Sequence, residues 1–236
     1  MSPVTFVSLG PGDPELITCK GLRALQEADF IFYPSTQTKD GTFSTSRSAD
    51  ILEKLGISSE HLIRFDLPMS KIRTQAIDKY HQICLKASQL SEQDKKVCIV
   101  AEGDAGFYSS IQTILEKLRL SGIPVRRIAG VPAFIAAAAS IGLNIANQDE
   151  RIIVIPGNVS AEEIEKYMSE KTTVIIMKLS QCAVEVQRCI ELHPHYKYHY
   201  FENIGTENET YHNKPEVIKS LQYPYFSLLI VRYKDL

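Results

Sequence analysis

The chain has 236 residues, with 26 Lys or Arg against 28 Asp or Glu and a formal net charge of −2. That balance excludes the basic excess behind non-specific nucleic-acid binding, so an anionic partner must be met by a local cluster of cations. The length suffices to bury a sizeable core, as one large α/β domain or two smaller ones.

The first apolar stretch, VTFVSL at 4–9, reads as a strand. It runs into GPGDPELIT, where Asp13-Pro14 predicts a cap with proline at the first position of a helix over 14–27. DFIFY (29–33), LIRF (62–65), KVCIVA (96–101) and PVRRI (124–128) read as further strands, and helices are expected over 71–90, 107–120 and 132–142. The clearest is 71–90, where Ile72, Ala76, Ile77, Tyr80, Ile83, Cys84, Ala87 and Leu90 return at helical spacing. Strand–helix alternation implies a mostly parallel, helix-covered sheet. QTKDGTFSTSRSA at 37–49 is polar, and reads as a surface loop or as a lid over a substrate.

The polar, turn-forming NIANQDE at 144–150 marks a junction, giving a first domain at 1–144 and a second at 150–236. In the second, RIIVIPG, TTVIIMK, KYHYFE and YFSLLIVRY read as strands, with helices at 161–168, 180–192 and near Glu216. The β-rich, hairpin-like finish predicts a mixed sheet. Two domains imply a ligand cleft between them.

Cys19, Cys84, Cys98, Cys182 and Cys189 are odd in number and never form a CxxC pair, which argues against a disulfide framework or a zinc site. MSPVTFVSLG lacks the features of a secretory signal, and no run approaches the ~20 apolar residues of a spanning helix. A soluble, cytoplasmic protein without membrane contact is expected.

Three loops carry the chemistry. In the first, a dinucleotide fingerprint needs a third glycine where Glu15 stands, and Pro11 removes a backbone donor from any phosphate cradle. In the second, EGDAGFY at 102–108, Gly103 permits close backbone approach, Asp104 offers acceptors, and Phe107-Tyr108 offer flat walls. It reads equally as a glycine turn with a cap at Asp104. In a parallel sheet both loops leave the same strand edge and face one another. In the third, AGVPAFIAAAA at 129–139, Gly130 ends a strand and Pro132 starts a closely packed helix.

VSLGPGDPELIT, EGDAGFY and AGVPAFIAAAA, in that order and spacing, resemble the tetrapyrrole methylase family of S-adenosylmethionine-dependent enzymes over nearly the whole chain. DLPMSKIR at 66–73, ENIGTENE at 202–209 and YFSLLIV at 225–231 look most like its precorrin-2 carbon-20 methyltransferases. The resemblance implies a two-domain α/β homodimer that holds the methyl donor in the interdomain cleft. It also implies donor contacts at Pro11, Glu102, Gly103, Asp104, Phe107, Pro132, Ala133, Met177 and Gly205, with Asp104 gripping the donor. Three departures concern contact geometry: Ser8 stands for a glycine common in the family, Ala105 for the proline of a GDP triplet, and Pro132-Ala133 for small hydroxyl residues. Tyr33-Pro34-Ser35-Thr36 replaces the Asp-Arg of members that dimethylate uroporphyrinogen, which argues against that activity.

The implied substrate is precorrin-2 or cobalt-factor II, methylated at a meso carbon. Glu102, Tyr108, Lys178 or a histidine is a candidate for handling the proton, and spacing does not choose among them. The substrate's carboxylate rim calls for cations, with Lys39, Arg47, Lys71, Arg73 and Lys178 as candidates. His193, His195 and His199 read as a polar turn leading into a strand, because HPH cannot present both rings on one helical face; no protein-bound metal is expected. The competing readings are a family member acting at another ring position or on ribosomal RNA ribose, a non-catalytic nucleotide-binding module, and a nicotinamide oxidoreductase. Balanced charge and the lack of tryptophan weigh against RNA.

Overall fold

A computed structural model describes residues 1–37, 44–67 and 73–233, with the side chains of 37, 44, 45, 67 and 73–78 outside the description. The chain divides into two compact units, Met1–Pro132 and Ala133–Leu236.

The first unit opens with β1 (Val4–Ser8), a 3-10 turn at Pro14–Leu16, and α1 (Cys19–Gln26). The helix expected over 14–27 is thus split, because Asp13 caps only the short turn and Thr18 caps α1 by accepting from the Gly21 N–H. There follow β2 (Phe30–Gln37), a short β3 (Ser44–Thr45), α2 (Arg47–Lys54), β4 (Leu62–Leu67), α3 (Arg73–Glu92), β5 (Val97–Ala101), α4 (Gln112–Leu120) and β6 (Val125–Ile128). Strands β4, β2, β5, β1 and β6 lie side by side and parallel, and β3 adds an antiparallel rung at the end of β2.

Alternate strand residues separate onto the two sheet faces, as the two-residue side-chain period requires. Val4, Phe6, Phe32, Val97 and Ile99 pack with Ile83 and Ala87 of α3 and Leu115 and Leu118 of α4. Val7, Ile31, Cys98, Val100 and Ile128 pack with Leu25 of α1 and Ile51 and Leu52 of α2. Burial on both faces explains why β5, VCIVA, reads as an unbroken apolar run, whereas β6, at the end of the strand order, leaves Arg126 and Arg127 exposed.

Two expectations are corrected here. Of the polar stretch at 37–49, residues 38–43 lie outside the described residues, but 44–45 form a strand and 47–49 already belong to α2. The cause is Ser46, whose hydroxyl accepts from the Ala49 N–H and caps a helix that buries Ile51 and Leu52. Likewise β2 continues past Tyr33 because β4 pairs with it as far as Thr36; the β5 ladder stops at Phe32, before Pro34 removes a donor.

The second unit begins with α5 (Ala133–Ser140) and continues through β7 (Arg151–Ile155), α6 (Ala161–Ser169), β8 (Thr172–Met177), α7 (Ala183–Leu192), β9 (Lys197–Glu202), β10 (Thr210–His212), α8 (Pro215–Ser220) and β11 (Ser227–Arg232). Its sheet runs β10-β9-β11-β8-β7, with β7 and β8 parallel and the other pairs antiparallel. The expected mixed sheet is therefore present. Tyr198, Tyr200, Val174, Ile176 and Leu229 pack against α6, α7 and α8 in one core. Arg232, 3% exposed, donates to the Asn144 carbonyl and to Glu150, so the 144–150 stretch is bonded onto this unit. Among the described residues no helix is long and apolar enough to cross a membrane.

Candidate functional site

The carboxyl edge of the first sheet is closed by its own loops. Leu9 continues from β1 by donating to the Ala101 carbonyl, and Gly10 and Gly103 then exchange backbone hydrogen bonds, 3.2 Å from Gly10 N to Gly103 O and 2.7 Å in return. The first two sequence-predicted loops are thus brought together. Gly10 has φ 80° and Gly103 has φ 63°, so both lie in the left-handed region that glycine enters without a Cβ penalty. Among the described residues a Cβ at Gly103 would meet nothing within 4 Å, which leaves the backbone there open to a ligand. Pro11 and Gly12, which form the bend itself, are buried.

Asp104 joins the second loop to the third. Its Oδ1 accepts from the Gly106 N–H and its Oδ2 from the Gly130 N–H, each at 2.7 Å. Phe107 N–H donates to the Asp104 carbonyl, so 104–107 is a β-turn with Asp104 in the position where a side chain bonds two residues ahead. Helix α4 starts only at Gln112, not at 107, because this turn and Tyr108, at φ 51°, interrupt the chain first. Phe107 and Tyr108 meet edge to face with centroids 4.6 Å apart.

Glu102 leaves the end of β5 beside α2. Burial pushes its carboxyl from 4.5 up to about 7, against the opposing pull of the Arg47 guanidinium and with a smaller push from Asp50. Both partners belong to α2, the helix that sequence reading missed. The serine cap at Ser46 followed by Ile51, Leu52 and Leu55 is the signal that marks it. Of the other predicted cations in this unit, Lys39, Lys71 and the side chain of Arg73 lie outside the described residues. Pro132 and Ala133, both half-buried, end the third loop and begin α5.

In the second unit Met177, Gly205 and Lys178 gather at one sheet edge. Leu228 of β11 is in register with both Met177 and Phe201, and Gly205 lies three residues past the end of β9. Lys178 has φ 57°, and its ammonium stands 5.8 Å from the Tyr225 ring centroid. Gly157 is held against the carbonyls of Met177 and Lys178, which a Cβ would approach to 2.8 and 2.7 Å. Gly205 donates to Glu209.

His193 and His195 flank Tyr196, with ring centroids 5.2 and 4.5 Å from it, while His199 is buried in β9 and bonded to Tyr211. Among the described residues no group of three His, Cys, Asp or Glu side chains is arranged to hold a metal. Burial pushes the Cys98 thiol to about 12 and those of Cys182 and Cys189 to about 11, so these three are protonated and unreactive near neutrality.

The family model described as Tetrapyrrole (Corrin/Porphyrin) Methylases matches residues 3–216. A probable cobalt-precorrin-2 C(20)-methyltransferase of Methanocaldococcus jannaschii is 28% identical over 172 residues, 73% of this chain and 70% of the relative. A precorrin-2 C(20)-methyltransferase of a Sinorhizobium species is 24% identical over 229 residues, 95% of this chain and 93% of the relative. Among solved structures, a cobalt precorrin-4 methyltransferase superposes with a TM-score of 0.74 at 17% identity, covering 98% of this chain and 95% of that one. A uroporphyrin-III C-methyltransferase of Thermus thermophilus, solved with S-adenosylhomocysteine, gives 0.68 at 17% identity, covering 98% and 92%. At such identities the two structures establish the shared α/β fold.

Proposed function

The chain belongs to the tetrapyrrole (corrin/porphyrin) methylases, and on that premise we propose that it transfers the methyl group of S-adenosylmethionine to carbon 20 of precorrin-2, or of its cobalt-loaded counterpart, in cobalamin synthesis. The observation that carries the donor reading is the paired glycine edge: Gly10 and Gly103 lock together while the space beside Gly103 stays open. Small residues at that edge fit a bulky nucleoside-bearing donor. Position 20 is favoured by the two relatives named for it, whereas a cobalt precorrin-4 enzyme shares the fold and keeps another ring position as the runner-up.

When bound, the donor supplies an activated methyl group, so the protein contributes position and desolvation. On the first unit Pro11, Glu102, Gly103, Phe107 and Pro132 are the proposed contacts, with Asp104 holding the second and third loops together. On the second unit Ala133, Met177 and Gly205 are proposed. Glu102 is the best placed proton acceptor of the first unit, because a carboxyl poised near 7 takes a proton at neutral pH and releases it again. Arg47 and Lys178 are proposed to meet substrate carboxylates, and the same reading makes the protein a cytoplasmic homodimer.

The test is incubation of the purified protein with methyl-labelled donor and either precorrin-2 or cobalt-factor II, followed by NMR of the product. One labelled methyl on carbon 20 is expected. A methyl on a different ring carbon overturns the position, and no transfer to either ring overturns the substrate.

A further inference from the structure

The tie between Ser8 and Ala105 lies beneath the donor loop and has no counterpart in the donor contacts above. Ser8 ends β1 fully buried, and its hydroxyl donates to the Ile128 carbonyl at 2.7 Å and accepts from the Ala105 N–H at 2.8 Å. One oxygen thus joins β1, β6 and the loop after β5. Its methylene fits a slot with no slack, since a Cβ on Gly130 would lie 2.4 Å from Ser8 Cβ and 2.9 Å from the Gly103 carbonyl.

Ala105 occupies the second position of the 104–107 turn, where proline's fixed φ is well tolerated. Alanine there leaves a donor, and the residue is 1% exposed, so its N–H must find a partner inside the protein. Ser8 is that partner. A proline ring carbon, bonded at roughly 1.5 Å to the same nitrogen and pointing where the hydrogen points, would fall on the serine oxygen. Proline at 105 therefore requires position 8 to carry no side-chain oxygen, and glycine leaves the most room.

We infer that Ser8 is a positioning residue for the donor loop, coupled to Ala105 so that hydroxyl and N–H together replace the stiffness proline would give the turn. The inference rests on the donor reading proposed above. Removing the hydroxyl orphans the Ala105 N–H and loosens Glu102–Phe107, whereas exchanging both residues restores a closed turn.

Four proteins test it: the wild type, Ser8→Ala, Ala105→Pro, and the double variant Ser8→Gly with Ala105→Pro, each titrated calorimetrically with S-adenosylhomocysteine and melted in parallel. Ser8→Ala should bind about tenfold more weakly. Ala105→Pro should bind more weakly still or fail to fold, and the double variant should return to within about threefold of wild type. Rescue by the double variant separates positioning from general damage, since two independently harmful changes would add. Wild-type affinity in Ser8→Ala or in Ala105→Pro overturns the coupling, as does a double variant no better than Ala105→Pro. A wild type that binds no S-adenosylhomocysteine overturns the donor reading itself, and the positioning role with it.

Discussion

The Gly130 N–H donates to Asp104 Oδ2 at 2.7 Å, fixing the loop after β6 to the loop after β5 through one carboxylate whose other oxygen holds the Gly106 N–H. Asparagine at 104 retains one acceptor and turns an NH2 group toward one of these donors. We expect Asp104→Asn to lower unfolding stability by about 1–3 kcal/mol and to weaken S-adenosylhomocysteine binding at the same time. Urea denaturation and calorimetry on the same sample check both. Weakened binding with unchanged stability would instead mark Asp104 as a direct grip on the donor.

Gly103 and Gly130 should separate stability from binding. A Cβ on Gly130 has nowhere to go, so Gly130→Ala should cost about 1–3 kcal/mol in unfolding stability. A Cβ on Gly103 meets no atom of the described residues within 4 Å, and at φ 63° its backbone strain is about 1–2 kcal/mol. Its larger effect should appear in donor affinity, through the space it fills. If Gly103→Ala bound S-adenosylhomocysteine like the wild type, the open side of Gly103 would not be the donor's.

Most of this arrangement was legible in the sequence where one residue type forces one geometry. Gly10, Gly103 and Gly130 announced tight loops at strand ends, and the alternation of apolar runs with helical patterns announced a parallel, helix-covered sheet. The partners of Asp104 were not legible, because a carboxylate that grips a ligand and one that grips two backbone amides look alike in sequence. Helix α2 was hidden for a different reason: its cap, Ser46, sits in a Ser- and Thr-rich stretch whose composition is that of a loop. The environment of Glu102 was therefore invisible, since its two charged neighbours, Arg47 and Asp50, belong to that helix. Arg232, far along the chain, reaches back to Asn144 and Glu150, a pairing that no local pattern announces.

That buried arginine gives the second unit an acid-sensitive point. The Asn147 N–H bonded to the Glu150 carboxylate, together with Arg232, holds its pKa below 4.5. A depressed carboxylate contributes stability that is present above its unfolded value and lost as pH falls through the folded one. We expect unfolding stability to drop below pH 4.5, and Glu150→Gln to flatten that drop while lowering stability at pH 7, where Arg232 would be left buried without its counter-charge. Parallel melts at pH 4 and 7 check this. Equal pH dependence in both proteins would show that other carboxylates govern the acid limb.

Glu102 should show the opposite slope. Its folded pKa of about 7 lies above the unfolded 4.5, so its contribution is fully present below 4.5 and is lost as pH rises through 7. Above that range the buried charge costs about 3 kcal/mol, at about 1.4 kcal/mol per pH unit. Glu102→Gln removes the titration, so the variant should gain stability relative to wild type at pH 8 and match it near pH 4.5. If Glu102 also receives the proton released after methylation, the same substitution should lower kcat by about a hundredfold or more. It should also abolish a rising limb in the pH–rate profile that levels off near 7. A variant stabilised at pH 8 with an unchanged rate would leave Glu102 a buried carboxyl without a catalytic part, and would move the proton to Tyr108 or Lys178. A variant with no gain at pH 8 would mean that Arg47 compensates its charge in full, and the poise near 7 would have to be abandoned. The stability melt should therefore come first: it decides whether the carboxyl is poised before any tetrapyrrole is made.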